Sequence, residues 1–200
     1  MVSASKRLEN SLRREGATLI CGIDEVGRGC LAGPLVAGVV VLPSNWRGRL
    51  RDSKQLSQIA RQKLSQQIIR KSLGYGLGWV DNVEIDELGM TQAVTLAYER
   101  ALEAMELDVS LIIIDGNYNY LSEYEIAQTL VKADQKVACV AAASIIAKVA
   151  RDEFMRNLCE RYPEYCFERN VGYATKVHQQ AISEFGLTDI HRKSFCRNFV

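Results

Sequence analysis

Long apolar runs are missing from this sequence. None approaches the roughly 20 consecutive apolar residues that a membrane-spanning helix needs, and the first segment, MVSASKRLENSLRREG, is too polar for a secretory signal. A soluble protein of the cytoplasm is the expectation. Histidine is nearly absent, with only His178 and His191, and the six cysteines (Cys21, Cys30, Cys139, Cys159, Cys166, Cys196) contain no C-x-x-C pair. This excludes a structural zinc site and a disulfide framework and leaves reduced, mostly buried thiols. Internal repeats, low-complexity stretches and long linkers are lacking as well. The 200 residues are therefore expected to form one domain around one core and, without an exposed apolar stripe, a monomer.

An excess of either charge is also lacking, since the formal net charge is +1. The distribution is uneven all the same. Residues 43 to 71 carry eight Lys/Arg against one Asp, and residues 79 to 108 carry eight Asp/Glu against one Arg. A basic face of this kind is compatible with phosphate contact and equally with a solvated surface, so charge alone does not decide the function.

What is present reads as a mixed α/β layout. Leu19 to Ile23 and Leu35 to Leu42 are apolar runs with strand character, separated by Gly27, Gly29, Gly33 and Pro34, which signal a tight connection. Ser57 can cap a helix to about Lys71, because Leu56, Ile59, Ala60, Leu64 and Ile68 recur at helical spacing. YGLGWV reads as a third strand. Met90, Val94, Ala97, Ala101 and Met105 mark a long helix, and Leu111 to Ile114 a fourth strand. Thr129 to Lys132 gives a short fifth strand stopping at Asp134. A helix from about Val140 to Arg161 follows, and a last one from about Lys176 to Phe185 stops at Gly186.

Acids recur at the ends of these strands: Asp24 and Glu25 after the first, Asp115 after the fourth, Asp134 after the fifth. In an open α/β sheet ligands gather beyond the carboxyl ends of strands, so these four can converge although they are far apart in sequence. Carboxylates without His or Cys suit a hard cation such as Mg²⁺ or Mn²⁺, which would also supply the charge the cluster lacks. The chemistry that most needs a pair of such ions is phosphodiester hydrolysis. Asp152 competes with Asp134, but its position four residues after Lys148 is sufficiently explained by an ion pair on a helix surface.

The segment GIDEVGRGCLAGP closely resembles the first signature of the ribonuclease HII family. DSKQLS (52 to 57), IDGN (114 to 117), KAD (132 to 134), AAASIIAKVARD (141 to 152), GYAT (172 to 175) and HRKSF (191 to 195) resemble its further motifs in order, spanning about residues 20 to 195. The related type 3 enzymes usually have Gly-Lys-Gly where this chain has Gly27, Arg28 and Gly29, and they carry an additional N-terminal domain. The resemblance implies a ribonuclease H-like mixed central sheet flanked by helices, with a helical C-terminal extension from about residue 153 that takes part in substrate binding. It implies two-metal hydrolysis, dependent on Mg²⁺ or Mn²⁺, of RNA/DNA hybrids and of duplex DNA containing ribonucleotides, cut 5′ of the ribonucleotide to leave a 5′-phosphate and a 3′-hydroxyl. Asp24, Glu25, Asp115 and Asp134 match the family's catalytic, metal-binding acids. Gly27, Arg28 and Gly29 match the turn that reads the 2′-hydroxyl, with Arg28 free to contact a phosphate or brace the loop. Tyr173 matches the tyrosine that packs on the sugar beside the cut.

Lys54, Thr175 and Arg192 are donors within matched motifs and stand as phosphate contacts, with a solvated side chain the alternative for each. His191 reads as a structural hydrogen-bonding group. Two positions depart from the family pattern. Cys30 stands where proline is frequent, which alters loop rigidity. Ala174 replaces the second glycine of Gly-Tyr-Gly-Thr and would be disfavoured if that position needs a positive φ. Two other readings remain: a nucleic-acid-binding module without catalysis, and a nuclease of this fold acting on junctions or on DNA alone. A sliding clamp is left open as a protein partner.

Overall fold

The computed structural model describes residues 3–48, 50, 51 and 57–199. Its centre is a five-stranded sheet of β2 (Ile20–Val26), β3 (Leu35–Val41), β5 (Gly74–Val80), β6 (Leu111–Asp115) and β7 (Ala127–Leu130), in the order β5-β3-β2-β6-β7. β3 runs antiparallel to both β2 and β5, whereas β6 lies parallel to β2 and β7 parallel to β6. The sheet is thus mixed. β3 is buried along its whole length, as its unbroken LVAGVVV run requires of a strand covered on both faces.

Three helices cover those faces. α5 (Ala138–Asn157) and α2 (Gln58–Lys71) close one side over Val40, Ile113 and Ile146. α3 (Asn82–Met105) closes the other over Ile23, Val39 and Ile114 with Val94, Ala97 and Ala101. α3 begins earlier than its apolar spacing predicts, because Asp81 and Glu84 form a reciprocal capping box ahead of a kink at Gly89. α2 starts as expected, with the Ser57 hydroxyl accepting the Ala60 N–H.

Three elements lie outside the expected layout. β1 (Ser3–Ala4), α1 (Arg7–Arg14) and β4 (Leu50–Arg51) build a strap in which β1 pairs antiparallel with β4. Another difference concerns Asp134. It does not end a strand: β7 stops at Leu130, Lys132 takes a left-handed turn, and Asp134 sits in the short helix α4 (Ala133–Lys136). α5 also ends sooner than expected, at Asn157, and a 3-10 turn (Pro163–Tyr165) and α6 (Phe167–Asn170) follow before α7 (Lys176–Phe185). These last elements form the helical C-terminal extension, whose Phe167, Tyr165 and Ile182 share an apolar cluster with Leu31, Ala32 and Met155. Among the described residues no helix is long and apolar enough to cross a membrane.

Candidate active site

Register brings the first acids together. β2 and β6 are aligned with Ile23 opposite Ile114, so the next residues, Asp24 and Asp115, emerge side by side. Successive strand residues alternate faces, which turns Asp24 toward α5 and Glu25 toward α3. Asp24 is only 9% exposed. Ser144 of α5 hydrogen-bonds it, and burial first, then the charges of Glu25, Asp115 and Asp134, push its carboxyl well above the usual carboxylate range.

Each neighbouring acid is held by a different element. Glu25 accepts from the hydroxyl of Tyr98, a fully buried residue of α3, and from Arg28 Nη1 at 3.1 Å. Burial and the Glu25 charge in turn raise the Tyr98 phenol well above its ordinary value, so Tyr98 stays a donor. Asp115 Oδ1 accepts the Ala133 N–H at 2.6 Å, which ties the end of β6 to the first turn of α4. Asp134 follows one residue later.

These four acids, Gly27, Arg28, Gly29, Ser144, Lys148 and Tyr173 line one cavity of about 500 Å³. Among the described residues no three acidic, His or Cys side chains are gathered closely enough to cage an ion unaided. A Mg²⁺ site needs no such cage, because it takes one or two carboxylates and completes its shell with water and substrate phosphate. The all-oxygen donor set and the raised Asp24 carboxyl fit a hard divalent cation.

The turn after β2 is shaped from beneath by Arg151, which is completely buried on α5. Its guanidinium donates to the carbonyls of Pro34, Val171 and Ala32 at 2.8, 2.9 and 3.1 Å. Gly27 has φ +99°, and a Cβ there would stand 2.4 Å from Arg151 Nε, so two separate constraints demand glycine. Gly29 differs: a Cβ there would meet nothing within 4 Å, and the residue borders the cavity. Arg28 is tied to Glu25 and lies over the Tyr120 ring, 5.5 Å from its centroid, which is the bracing arrangement.

Tyr173 is 37% exposed and is joined to the loop through a backbone bridge to Cys30 and a hydrogen bond between the two side chains. Burial, then Cys30, pushes its phenol up to about 12. Proline at position 30 would lack the N–H that Cys30 donates to Gly27 across 3.3 Å. Ala174 is not strained, because the left-handed position of the segment is Gly172, at φ +87°. Thr175 is exposed and its hydroxyl caps α7 by accepting the His178 N–H.

Arg192 corrects the sequence reading. It has no surface exposure, and its guanidinium donates to the carbonyls of Gly33 at 2.9 Å and Arg28 at 3.1 Å. It supports the loop from within and does not reach out to a phosphate. Lys54 lies outside the described residues. Asp152 does pair with Lys148, at 2.7 Å, yet it is buried and also meets Arg61 at 3.5 Å and Arg156 at 3.6 Å, so it is no surface pair, and it does not line the cavity. Tyr98, Ser144 and Arg151 escaped the sequence reading of the site. Their helical spacing marks them as core positions, and only the fold reveals their polar partners.

A mixed sheet with acids at the adjoining ends of its two central strands, flanked by helices and a helical extension, is the ribonuclease H-like architecture. Residues 21–198 match the family model described as Ribonuclease HII. Ribonuclease HII of Caldicellulosiruptor saccharolyticus is 42% identical over 201 residues, covering 96% of this chain and 94% of that protein. The crystal structure of ribonuclease H2 from Pyrococcus horikoshii OT3 superposes with a TM-score of 0.77 at 30% identity, over 91% of this chain and 97% of the other. The ribonuclease HII in the PCNA complex from Archaeoglobus fulgidus gives the same TM-score at 27% identity, over 90% and 96%. The chain belongs to the ribonuclease HII family and is a ribonuclease H, an endonuclease acting on the RNA of RNA/DNA hybrids.

Proposed function

We propose that the chain, beyond cutting hybrids, incises 5′ of single ribonucleotides embedded in duplex DNA, and so serves ribonucleotide and RNA-primer removal. The observation that carries this reading is a single cavity where four carboxylates face an open glycine backbone and an exposed tyrosine.

Asp24, Glu25, Asp115 and Asp134 would hold Mg²⁺ or Mn²⁺, and the raised Asp24 carboxyl supports this because a divalent cation supplies the charge that burial and three neighbouring acids withhold. Bound there, a pair of such ions would supply activation of water and stabilisation of the leaving oxygen. The protein fixes the orientation of the acids through Ser144, Tyr98, Arg28 and the Ala133 N–H. Hydrolysis forms a bond from a water oxygen to phosphorus and breaks the bond to the 3′ oxygen. That oxygen leaves with a proton, giving a 3′-hydroxyl and a 5′-phosphate.

Backbone groups of Gly27 and Gly29 read the 2′-hydroxyl, the group that separates RNA from DNA, and the open approach at Gly29 supports this role. Tyr173, delivered by the C-terminal extension, packs on the adjoining sugar, while Thr175 and Lys54 contact phosphates. The enzyme acts as a monomer. Contact with a sliding clamp is the protein partnership carried by this reading, on the likeness to the Archaeoglobus fulgidus protein found with PCNA.

The test is incubation with a duplex carrying one ribonucleotide, beside an all-deoxyribonucleotide duplex and a long hybrid, with Mg²⁺ or Mn²⁺ and with chelator. Incision 5′ of the ribonucleotide, metal-dependent and absent from the deoxyribonucleotide control, is the expected result. Equal cutting of the two duplexes would reject 2′-hydroxyl recognition.

A further inference from the structure

α5 begins without a cap of its own. Its N-cap residue, Val137, has no side-chain oxygen to offer, and no acid stands in its first turn. The first N–H groups of a helix need acceptors, and a carboxylate is the best of them. That acceptor comes from far away in sequence: Glu9 of α1, itself 0% exposed, accepts the Ala138 N–H at 3.2 Å through Oε2. The Ser5 carbonyl shares the same N–H at 3.3 Å, and the Ser5 N–H donates to the Lys136 carbonyl at 3.2 Å. The strap therefore grips both sides of the α4–α5 junction.

Its other end is fixed to the sheet. Lys6 Nζ donates to the Pro43 carbonyl at 2.5 Å, and Arg13 Nη2 donates to the Leu42 carbonyl at 3.2 Å, just beyond β3. The strap thus joins the exit of β3 to the junction that follows Asp134. Asp134 occupies a four-residue helix, too short to hold its shape alone. On its N-terminal side that helix is held by Asp115 through the Ala133 N–H. On its C-terminal side the holders are Ser5 and Glu9. Burying a carboxylate is costly, and burial raises the Glu9 carboxyl above its ordinary range. A helix needing only a surface anchor would not require one there.

We infer that Glu9 is a positioning residue for Asp134: by capping α5 from the N-terminal strap it fixes the α4 turn that presents this acid to the metal site. Glu9 lies ahead of the matched family segment, which starts at residue 21. The inference rests on the proposal that Asp134 holds a metal ion.

The test compares the full-length wild type with Glu9→Gln, Glu9→Ala and Asp134→Asn. Mn²⁺ affinity is measured directly, by the loss of the free-ion electron paramagnetic resonance signal, and hydrogen exchange is followed over residues 133–141. Outer partners of metal ligands typically control affinity by ~10–100-fold. Glu9→Ala is expected to weaken Mn²⁺ binding by about tenfold, with faster exchange confined to the junction and an unchanged KM for substrate. Glu9→Gln keeps an oxygen for the Ala138 N–H and is expected to retain affinity within about threefold.

Wild-type affinity in Glu9→Ala, with lower thermal stability alone, would overturn the inference, as would Glu9→Gln failing to rescue. Should Glu9→Ala not fold, Glu9→Gln still decides through the exchange pattern, because junction exchange as fast as the chain termini also overturns it. Absence of Mn²⁺ binding by the wild type, or equal binding by Asp134→Asn, would instead strike the metal reading itself.

Discussion

His191 Nε2 lies 3.1 Å from His178 Nε2, and the groups around them determine which ring carries the proton between them. His178 Nδ1 faces the Tyr173 carbonyl at 2.9 Å, and a carbonyl only accepts, so that nitrogen carries a hydrogen and His178 Nε2 is left as an acceptor. His191 Nε2 must then donate. Its Nδ1 is the acceptor that remains for the Thr188 N–H at 3.0 Å and the Thr188 hydroxyl at 2.8 Å. The result is a directed chain of neutral rings running from the C-terminal segment to the backbone of Tyr173.

A second proton on either ring breaks this chain and places like charges in contact. Burial, then the neighbouring His178, lowers His191 from 6.5 to about 4, and burial lowers His178 as well. Both folded values lie below the unfolded one, so the unfolded chain binds protons that the folded pair refuses. The pair's contribution is complete above about pH 6.5 and is lost progressively as pH falls toward 4. Urea midpoints measured from pH 7.5 to 4 are expected to fall through that window. Ring ¹⁵N shifts are expected to show neutral rings at pH 6. A cationic His191 at that pH would refute the assignment.

Glu25 is held by a donor from α3, on the face of the sheet toward which its side chain turns. Tyr98→Phe keeps the ring that packs against Tyr120 and removes only the hydroxyl. Hydrogen bonds to charged groups contribute about 1.5–3 kcal/mol, and losing one that orients an acid proposed to hold metal is expected to lower kcat by about tenfold or more. KM should stay near the wild-type value, because Tyr98 is buried and does not line the cavity. Steady-state kinetics on a hybrid duplex checks this. Unchanged kcat would show that Arg28 alone suffices to hold Glu25.

How much of this was written locally in the chain varies by residue. Asp24 and Asp115 were readable because each closes an unbroken apolar run, and parallel pairing of those runs places them together. Asp134 was identifiable as an acid near a strand but not as a helical one: four residues are too few to show a period. Tyr98 was hidden among the core positions of α3, and its partner lies 73 residues away. The N-terminal strap has no apolar periodicity to announce it, since its holding groups are Glu9, Lys6 and the Ser5 backbone. Polar contacts between distant segments leave no periodic trace, and most of the site's supporting residues are of that kind.

The two glycines flanking Arg28 are expected to separate when each is replaced. Gly27→Ala forces a side chain into a left-handed backbone position and onto Arg151 Nε, 2.4 Å from the new Cβ. A loss of about 1–3 kcal/mol of stability is the expected outcome, visible as a lower Tm. Gly29→Ala has room for its methyl and no such backbone constraint. Its stability is expected to stay within about 0.5 kcal/mol of wild type by the usual weight of surface changes, with a correspondingly small change in Tm. Incision at a single ribonucleotide should nevertheless fall, as the methyl would stand on the backbone proposed to read the 2′-hydroxyl. Equal thermal losses in the two variants would contradict this division of roles.

Arg192 separates bracing from phosphate contact most cleanly. A phosphate-binding arginine, when removed, weakens substrate binding and lowers the slope of log affinity against log salt by about one. A buried arginine that supports a loop does neither directly, because no counterion is released from a side chain that solvent never reaches. Arg192 is buried, satisfies two carbonyls under the Gly27–Gly29 turn and its lower neighbours, and burial pulls its guanidinium down to about 10. Arg192→Met retains much of the stem and leaves the carbonyls of Gly33 and Arg28 without their donor, at a cost of about 3 kcal/mol for the orphaned groups together. Urea unfolding of this variant should show that loss. Hybrid-duplex affinity measured between 50 and 200 mM salt, on roughly the scale where phosphate contacts are most visible, should give the wild-type slope. A slope reduced by about one, with stability intact, would restore Arg192 as a phosphate ligand and require the C-terminal segment to open when substrate binds.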